Sequence, residues 1–486
     1  MKRSLEDEKP TKLWSATQSR VLTSVLEKGK NVLITGAGGV GKSEVIKEIV
    51  SKMKDRGLKV AVVAHTGIAA LTIGGQTLWS FMHFNPERIQ HSKEEIVAEY
   101  VSKHKYWCTE FQSYKTLIID EVSMVEPHIL ELMDYIFQMT RRDYRPFGGL
   151  QLVLVGDFFQ LPAPTKIRKY IFHSEIFWKS IEEMHDLKEM WRQNNKEFIS
   201  LLHRARKGEQ TKEDINLLNS RVGIKLECEN QGILPTILYS HNEDVDKKNT
   251  ESLLELEGDI KEYKVKYGTY ESFSKKKFDN SEATLLKLLK TLNLGDSLEF
   301  IKHPEFKIGA QVMLCYNLGP GLVNGSRGVI IDYSEGGNDE EEKFKKKTQE
   351  SIYPCNERLP IVKFVNGKII EIPYVRYTME NCYAWRIGIK LCWATSIHKS
   401  QSLTLDACEV ELSKCFDAGM AYVALSRINA LENLRLKSEI TQNAFQVDQE
   451  VIKFYNTPFA IQKALWIAKK AINFTEEMKS ETDLYN

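Results

Sequence analysis

The chain of 486 residues is short of several features that would place it in a specialised class. Its eight cysteines, at 108, 228, 315, 355, 382, 392, 408 and 415, include no CxxC pair. That excludes the usual zinc-ligand spacing and leaves reduced, structural thiols in a reducing compartment as the expectation. No apolar run approaches the ~18 residues that cross a bilayer, so no membrane partner is expected. The first ten residues, MKRSLEDEKP, are acidic where a secretory or mitochondrial leader is apolar or acid-poor. An intracellular, soluble protein is expected, in nucleus or cytoplasm. Net charge is also missing: Lys and Arg total 67 against 66 Asp and Glu. Any nucleic-acid surface must therefore come from local clustering of cations rather than from a basic chain. No repeat of solenoid period and no low-complexity tail is present.

What is present is enough apolar material, 42% of residues, for two to four domains. Across the first third, short apolar runs at 31–35, 59–66, 116–122 and 151–157 alternate with helical patterns. That alternation predicts a parallel α/β sheet. Val45, Ile46, Ile49, Val50 and Met53 fall on one face of a helix starting near Lys42, and Pro127 starts a second helix carrying Ile129, Leu130, Met133, Ile136 and Phe137. A second α/β region is expected from runs at 236–240, 391–397 and 407–412. Their separation implies an insertion, and short strand-like pieces at 328–332, 361–365 and 368–372 suggest a small β-barrel there. Residues 338–350, rich in charge, are expected to form a solvated loop or hairpin arm.

The strongest local signal is GAGGVGKS at 36–43, which matches GxxxxGKS directly after a predicted strand and at the start of a predicted helix. Gly36, Ala37, Gly38, Gly39, Val40 and Gly41 would curl so that backbone N–H groups face phosphate oxygens. Lys42 would supply a point charge to the β and γ phosphates, and Ser43 would ligate Mg²⁺. The ligands implied are ATP and Mg²⁺. TLIIDEV at 116–122 ends an apolar strand in two carboxylates, at the sheet edge where the nucleotide sits. Asp120 would hold Mg²⁺ and Glu121 would polarise the attacking water. An Asp-Glu pair at a strand end is more often a solvated turn, but a preceding P-loop reverses the odds. In GDFFQLP at 156–162, Gln160 is a candidate sensor of the γ-phosphate.

The blocks GDFFQLP, DEVSM and HTGIAALTIGGQT (65–77) resemble the Pif-type DNA helicases of superfamily one. The resemblance continues through LKEMWRQN (187–194), IGAQVMLCYNLGPGLVNGSRG (308–328), WATSIHKSQSLTLD (393–406) and GMAYVALSR (419–427). The seven blocks stand in the family's order, and the resemblance covers roughly residues 13–455. The resemblance implies two RecA-like P-loop domains with parallel sheets and ATP between them, the second interrupted by a small barrel like that of Src-homology-3 domains. The corresponding division is residues 1–186 for the first domain, 187–327 with 388–455 for the second, 328–387 for the barrel and 456–486 for a helical tail. It implies further that Gln18 recognises adenine and that Arg192 and Arg427 reach the γ-phosphate from the second domain, where two guanidinium groups stabilise a transferring phosphoryl group.

For single-stranded DNA, the resemblance implies phosphate contacts from Thr66 and Gly67 in the first domain and from His398, Lys399 and Thr404 in the second. Phe159 is a candidate stacking face for a base, with an inward, core position as the alternative. Residues 87–112 fall where relatives place a pin that splits the duplex; a solvated helical loop is equally compatible with them. Three positions depart from the family pattern. Trp79 stands where His is usual, Ser402 replaces Gly after HKSQ, and Met420 replaces Gln. Of these Ser402 matters most, because glycine there permits close approach to DNA or a positive φ. The expected activity is a monomeric ATP-dependent helicase moving 5′ to 3′ on single-stranded, forked or structured DNA. A RecD-like motor subunit of a larger DNA-processing complex is the rival. No HxH among the eleven histidines supports a relaxase-linked motor, and intact Lys42, Asp120, Glu121 and Gln160 argue against a scaffold without turnover.

Overall fold

The computed structural model describes residues 13–65, 69–70, 73–82, 94–98, 105–163, 165, 168–269, 303–316, 318–319, 321–335, 357–379 and 382–484. Six strands form the first sheet: β1 (Val32–Gly36), β2 (Val60–Ala64), β3 (Gln76–Thr77), β4 (Thr116–Asp120), β5 (Gln151–Val155) and β6 (Glu183–Leu187). Their order is β3-β2-β4-β5-β1-β6, and every pairing is parallel. The central strands are apolar throughout because helices cover both faces of the sheet.

Alternation along the strands sorts those faces. Leu33, Leu117, Ile119, Leu152 and Leu154 share a core with Ile129, Leu130, Met133, Ile136 and Phe137 of the helix Pro127–Arg141. Val32, Ile34, Ile118, Val153 and Val155 share another with Val45, Ile46, Ile49 and Met53 of the helix Lys42–Asp55. The period of two in the strands meets the period of 3.6 in each helix, as the sequence pattern requires. Pairing of Ile34 with Val155 and of Ile119 with Leu154 keeps the strand ends level. The chain segments after β1, β4 and β5 therefore leave the sheet along one edge.

The second parallel sheet consists of β7 (Thr236–Tyr239) with Ala394–Ser396 on one side and Cys408–Val410 then Leu434–Leu436 on the other. Between β7 and Ala394–Ser396 the chain forms an antiparallel five-stranded sheet, in the order Ile369–Glu371, Pro360–Phe364, Arg327–Tyr333, Gln311–Leu314, Ile389–Leu391. This sheet takes in strands on both sides of residues 328–387, because Val312 pairs with Leu391. Its own core contains Tyr263, Phe306, Val312, Ile330, Val362 and Ile387. Arg327 is fully buried and ties the insertion to its host, donating from Nε (2.7 Å) and Nη2 (2.6 Å) to the two carboxylate oxygens of Asp406.

The chain then returns to its beginning. In the helix Gln449–Asn456, assigned from sequence to the end of the second domain, Val451 and Phe454 enter the core of the first sheet. Phe454 stacks on Phe172 with centroids 4.4 Å apart and meets Phe158 edge-on at 5.3 Å. Of the segment 87–112, residues 94–98 and 105–112 are described, and Ile96, Val97 and Phe111 are buried in that same core. The remainder of that segment and the charged stretch 338–350 lie outside the described residues. Among the described residues no helix is long and apolar enough to cross a membrane.

Truncating Phe454 to Ala should destabilise the first domain, although the residue follows the whole of the second. The expected cost is about 3–5 kcal/mol, read from thermal unfolding followed by the fluorescence of Trp178, whose ring lies 6.3 Å from that of Phe454.

Candidate nucleotide and nucleic-acid site

The phosphate loop begins where β1 ends. At Gly36, φ is 141° and a Cβ would lie 2.5 Å from the carbonyl oxygen of Leu187, so only glycine fits. Gly41 opens the helix Lys42–Asp55 in the left-handed region at φ 85°, with the Gln18 amide nitrogen 2.8 Å from where a Cβ would be. Ala37 and Val40 anchor the loop in the core below it. Lys42 curls back over the loop, its Nζ donating to the carbonyls of Gly36 (2.7 Å) and Ala37 (3.0 Å). Burial lowers the pKa of that ammonium, and the carboxylates of Asp157, Glu121 and Asp120 oppose the shift. Ser43 is half-buried in the first helical turn. Gln18 closes a capping box with Ser15 at the start of Ala16–Leu22, and its Nε2 donates to the Val40 carbonyl at 3.4 Å. Trp191 stands exposed beside it, its ring 3.5 Å from the Cβ position at Gly41.

Asp120 is the last residue of β4, and Glu121 follows in the left-handed region at φ 55°. The Asp120 carboxylate accepts the Glu121 N–H at 2.9 Å. Burial, then the neighbouring Glu121, pushes the Asp120 pKa up to about 7. Two adjacent carboxylates in a buried edge are short of positive charge, which is the condition a divalent cation satisfies. Glu121 is held from the far side of the cleft: Gln401 Nε2 donates to one of its oxygens at 2.8 Å, and the Ser402 hydroxyl donates to the other.

The segment after β5 is locked across the same cleft. Asp157 and Arg206 are both buried, and Arg206 donates to the two Asp157 oxygens at 2.7 and 2.9 Å. Gln160 Nε2 lies 3.5 Å from Asp157 Oδ2, so in this structure its amide faces the ion pair. Phe159 occupies the inward alternative. It is 4% exposed, stacks on Tyr455 at 4.8 Å, and has the Arg206 guanidinium 4.7 Å from its ring centroid. Its faces are taken by protein.

Arg192 and Arg427 meet at the phosphate loop. A Cβ on Gly38 would lie 3.3 Å from Arg427 Nη2 and 3.6 Å from Arg192 Nη1. Arg192 is held by the Ser426 carbonyl (2.8 Å), and Arg427 by the Val423 carbonyl (2.8 Å) and the Ser426 hydroxyl (2.6 Å). Burial, then Arg427, pushes the Arg192 pKa down to about 9. Two guanidinium groups at one glycine of the loop, Arg427 buried and Arg192 half-buried, form an anion-seeking pair. Tyr422, which sequence reasoning did not single out, receives the Gly38 N–H on its hydroxyl at 2.8 Å. It lies five residues before Arg427 in GMAYVALSR, and nothing local in that string marks its partner.

Of the expected DNA contacts, Thr66 and Gly67 lie outside the described residues. His398, Lys399 and Thr404 share one loop after Ala394–Ser396; His398 and Lys399 are half-buried and Thr404 is exposed. Phe416, also missed, is 54% exposed, with ring centroids 5.0 Å from His241 and 6.4 Å from His398. The departures resolve separately. Met420 is fully buried, Trp79 packs against the first core, and Ser402 adopts φ 67°.

A parallel sheet whose first strand feeds a glycine-rich loop and helix, with two carboxylates at the end of β4, defines a P-loop nucleotide-binding protein. A family model described as PIF1-like helicase matches residues 14–216. The crystal structure of Pif1 helicase from Candida albicans is similar with a TM-score of 0.73 at 30% identity, covering 92% of this chain and 99% of that one. A structure of Bacteroides Pif1 bound to single-stranded DNA has a TM-score of 0.61 at 25% identity, covering 92% of this chain and 97% of that one. The ATP-dependent DNA helicase PIF1 of Danio rerio is 36% identical over 452 residues, which cover 91% of this chain and 63% of that protein. The chain belongs to the Pif1-like helicase family. It spans less than two thirds of the length of the curated relatives it matches first, 63% and 64%.

Replacing Lys42 with Ala should abolish ATP turnover while single-stranded DNA binding survives, because the lysine touches only the phosphate loop. Glu121→Gln should retain nucleotide binding yet lose roughly 10²- to 10⁴-fold in hydrolysis, the range of a general base. Steady-state turnover with parallel nucleotide and DNA titrations checks both, and a Lys42→Ala protein with wild-type turnover contradicts the assignment.

Proposed function

We propose that this chain is an ATP-driven DNA helicase that tracks along single-stranded DNA from 5′ to 3′ and opens duplex, forked or structured DNA as a monomer. The observation that carries this reading is the arrival of Arg192 and Arg427 at Gly38 of the phosphate loop. A hydrolytic site completed by a second domain gives hydrolysis a mechanical consequence: what changes at the phosphate changes the cleft. The Danio rerio relative carries the name ATP-dependent DNA helicase, and the Bacteroides relative is bound to single-stranded DNA. Both fit the chemistry of these residues.

In this mechanism the N–H groups of residues 38–43 and Lys42 would bind the phosphates, Ser43 and Asp120 would hold Mg²⁺, and Gln18 would orient the base. When bound, ATP with Mg²⁺ supplies the phosphoanhydride and the neutralising charge. Glu121 takes the proton of the attacking water, Gln160 senses its placement, and the two arginines stabilise charge on the departing oxygens. For the Gly38 N–H to reach phosphate, the Tyr422 hydroxyl must leave it. His398, Lys399 and Thr404, with Thr66 and Gly67 in the first domain, grip phosphates of the strand. Phe416 is a better candidate for base stacking than the enclosed Phe159. The inserted antiparallel sheet, with the three-stranded sheet of Tyr374–Met379, Cys382–Ile387 and Lys266–Thr269, would be the Src-homology-3-like barrel, and residues 87–112 would contribute the duplex-splitting pin. On this reading the first domain is residues 1–186, joined in its core by the helix Gln449–Asn456.

ATPase activity should rise with single-stranded DNA of mixed sequence, and binding should weaken with salt at a log–log slope of about −0.7 per phosphate contacted. A duplex with a 5′ single-stranded tail should be unwound, and one with only a 3′ tail should not. Equal unwinding of both, or dependence on one base sequence, would contradict the proposed grip.

A further inference from the structure

Glu121 has no free carboxylate oxygen in this structure. Both accept hydrogen bonds from consecutive residues on the other side of the cleft, Gln401 Nε2 at 2.8 Å and the Ser402 hydroxyl. The loop that supplies these donors also carries His398, Lys399 and Thr404, the residues that the proposed function assigns to DNA. We infer that Gln401 and Ser402 form a latch which parks the water-activating carboxylate until single-stranded DNA engages the same loop. The inference rests on the assignment of this site to a DNA-coupled ATPase.

Three observations indicate that the latch is held against local preference and is therefore ready to open. Ser402 lies in the left-handed region at φ 67° and Glu121 at φ 55°; they are two of the four non-glycine residues with positive φ among the described residues. Such conformations persist only where surrounding contacts enforce them, and they gather at switches. Gln401 is buried, yet its Oε1 has no hydrogen-bond partner, so the amide is satisfied on its donor side alone. Meanwhile Arg427 Nη1 reaches the carbonyls of Ser400 (3.3 Å) and Leu403 (3.5 Å), which flank the latch. A shift of this loop would therefore be felt by the phosphate-facing arginine as well as by Glu121.

A carboxylate with both oxygens accepting from fixed donors is held in one orientation and cannot turn to a water. DNA phosphates drawing on Lys399 and its neighbours would compete for the loop's position and release both donors together. Ser402 is thus a positioning residue that acts through Glu121. At this position a hydroxyl does what glycine could not.

The test is ATP turnover by wild type, Ser402→Ala and Ser402→Gly, with and without saturating oligothymidylate, together with KM for ATP and the melting temperature. Both variants remove the hydroxyl, and glycine also relieves the positive φ. The latch requires DNA-free kcat to rise roughly five- to tenfold in both, with KM for ATP little changed. DNA-saturated kcat should stay near wild type, so the stimulation ratio falls by the same factor. Proportional loss of kcat with and without DNA, an unchanged ratio, or a change confined to Ser402→Gly would overturn the latch while leaving a DNA-stimulated ATPase intact. A wild-type protein that oligothymidylate does not stimulate would overturn the underlying reading of the site.

Discussion

The buried pair of Asp157 and Arg206 is the contact on which the arrangement of the site depends. Asp157 lies just past β5 of the first sheet and Arg206 on the helix Lys196–Lys207 that packs in the second core, and neither has appreciable contact with solvent. Removing either partner would leave a buried charge uncompensated, at a cost of about 3–5 kcal/mol. Two short-range bonds in a low-dielectric setting therefore fix where the second domain meets the first. The Phe159 and Tyr455 rings stack beside the pair with Arg206 over both, and the Tyr455 hydroxyl contacts Thr35 of β1 at 2.5 Å. Around this contact the two arginines, Tyr422, Gln401 and Ser402 all come within reach of the groups at the edge of the first sheet.

The charges at that edge are complementary by origin. The first domain contributes Asp120, Glu121 and Asp157 as well as Lys42. Arg192, Arg206 and Arg427 come from the second. Burial disfavours each charged form, raising Asp120 and lowering Lys42, Arg192 and Arg427. A metal-bound triphosphate would supply a cation to the carboxylates and an anion to the arginines at once. The perturbation of these groups is thus a property of one site divided between two domains.

Much of the first sheet was legible in the sequence because its signals are local. Apolar runs bounded by turn residues fell within one or two residues of β1, β2, β4 and β5, and the apolar faces of the helices Lys42–Asp55 and Pro127–Arg141 read correctly at a period of 3.6. The phosphate loop was legible for the same reason, since the need for glycine at Gly36 and Gly41 is a backbone requirement. Contacts made at long range were not. Nothing in GDFFQLP says whether Phe159 faces solvent or Tyr455, and nothing near residue 454 says that its ring completes a core begun at residue 33. Tyr422 and Phe416 were missed because their partners, Gly38 and the His241 and His398 rings, are remote in sequence. Ser402 was visible as a departure from the family pattern, but its bond to Glu121 was not, because that depends on how two domains meet.

The central claim is that a second domain completes the hydrolytic site, and single-turnover ATP hydrolysis by Arg427→Ala tests it most directly, with thermal unfolding and DNA affinity measured on the same protein. The guanidinium stands beside Gly38 of the phosphate loop. Hydrolysis should slow by roughly 10³-fold or more, the scale of a lost arginine finger, while nucleotide affinity falls much less and Arg427→Lys rescues poorly for want of the planar fork. Normal single-turnover hydrolysis in a folded Arg427→Ala protein would show that the first domain hydrolyses ATP unaided and would contradict the account.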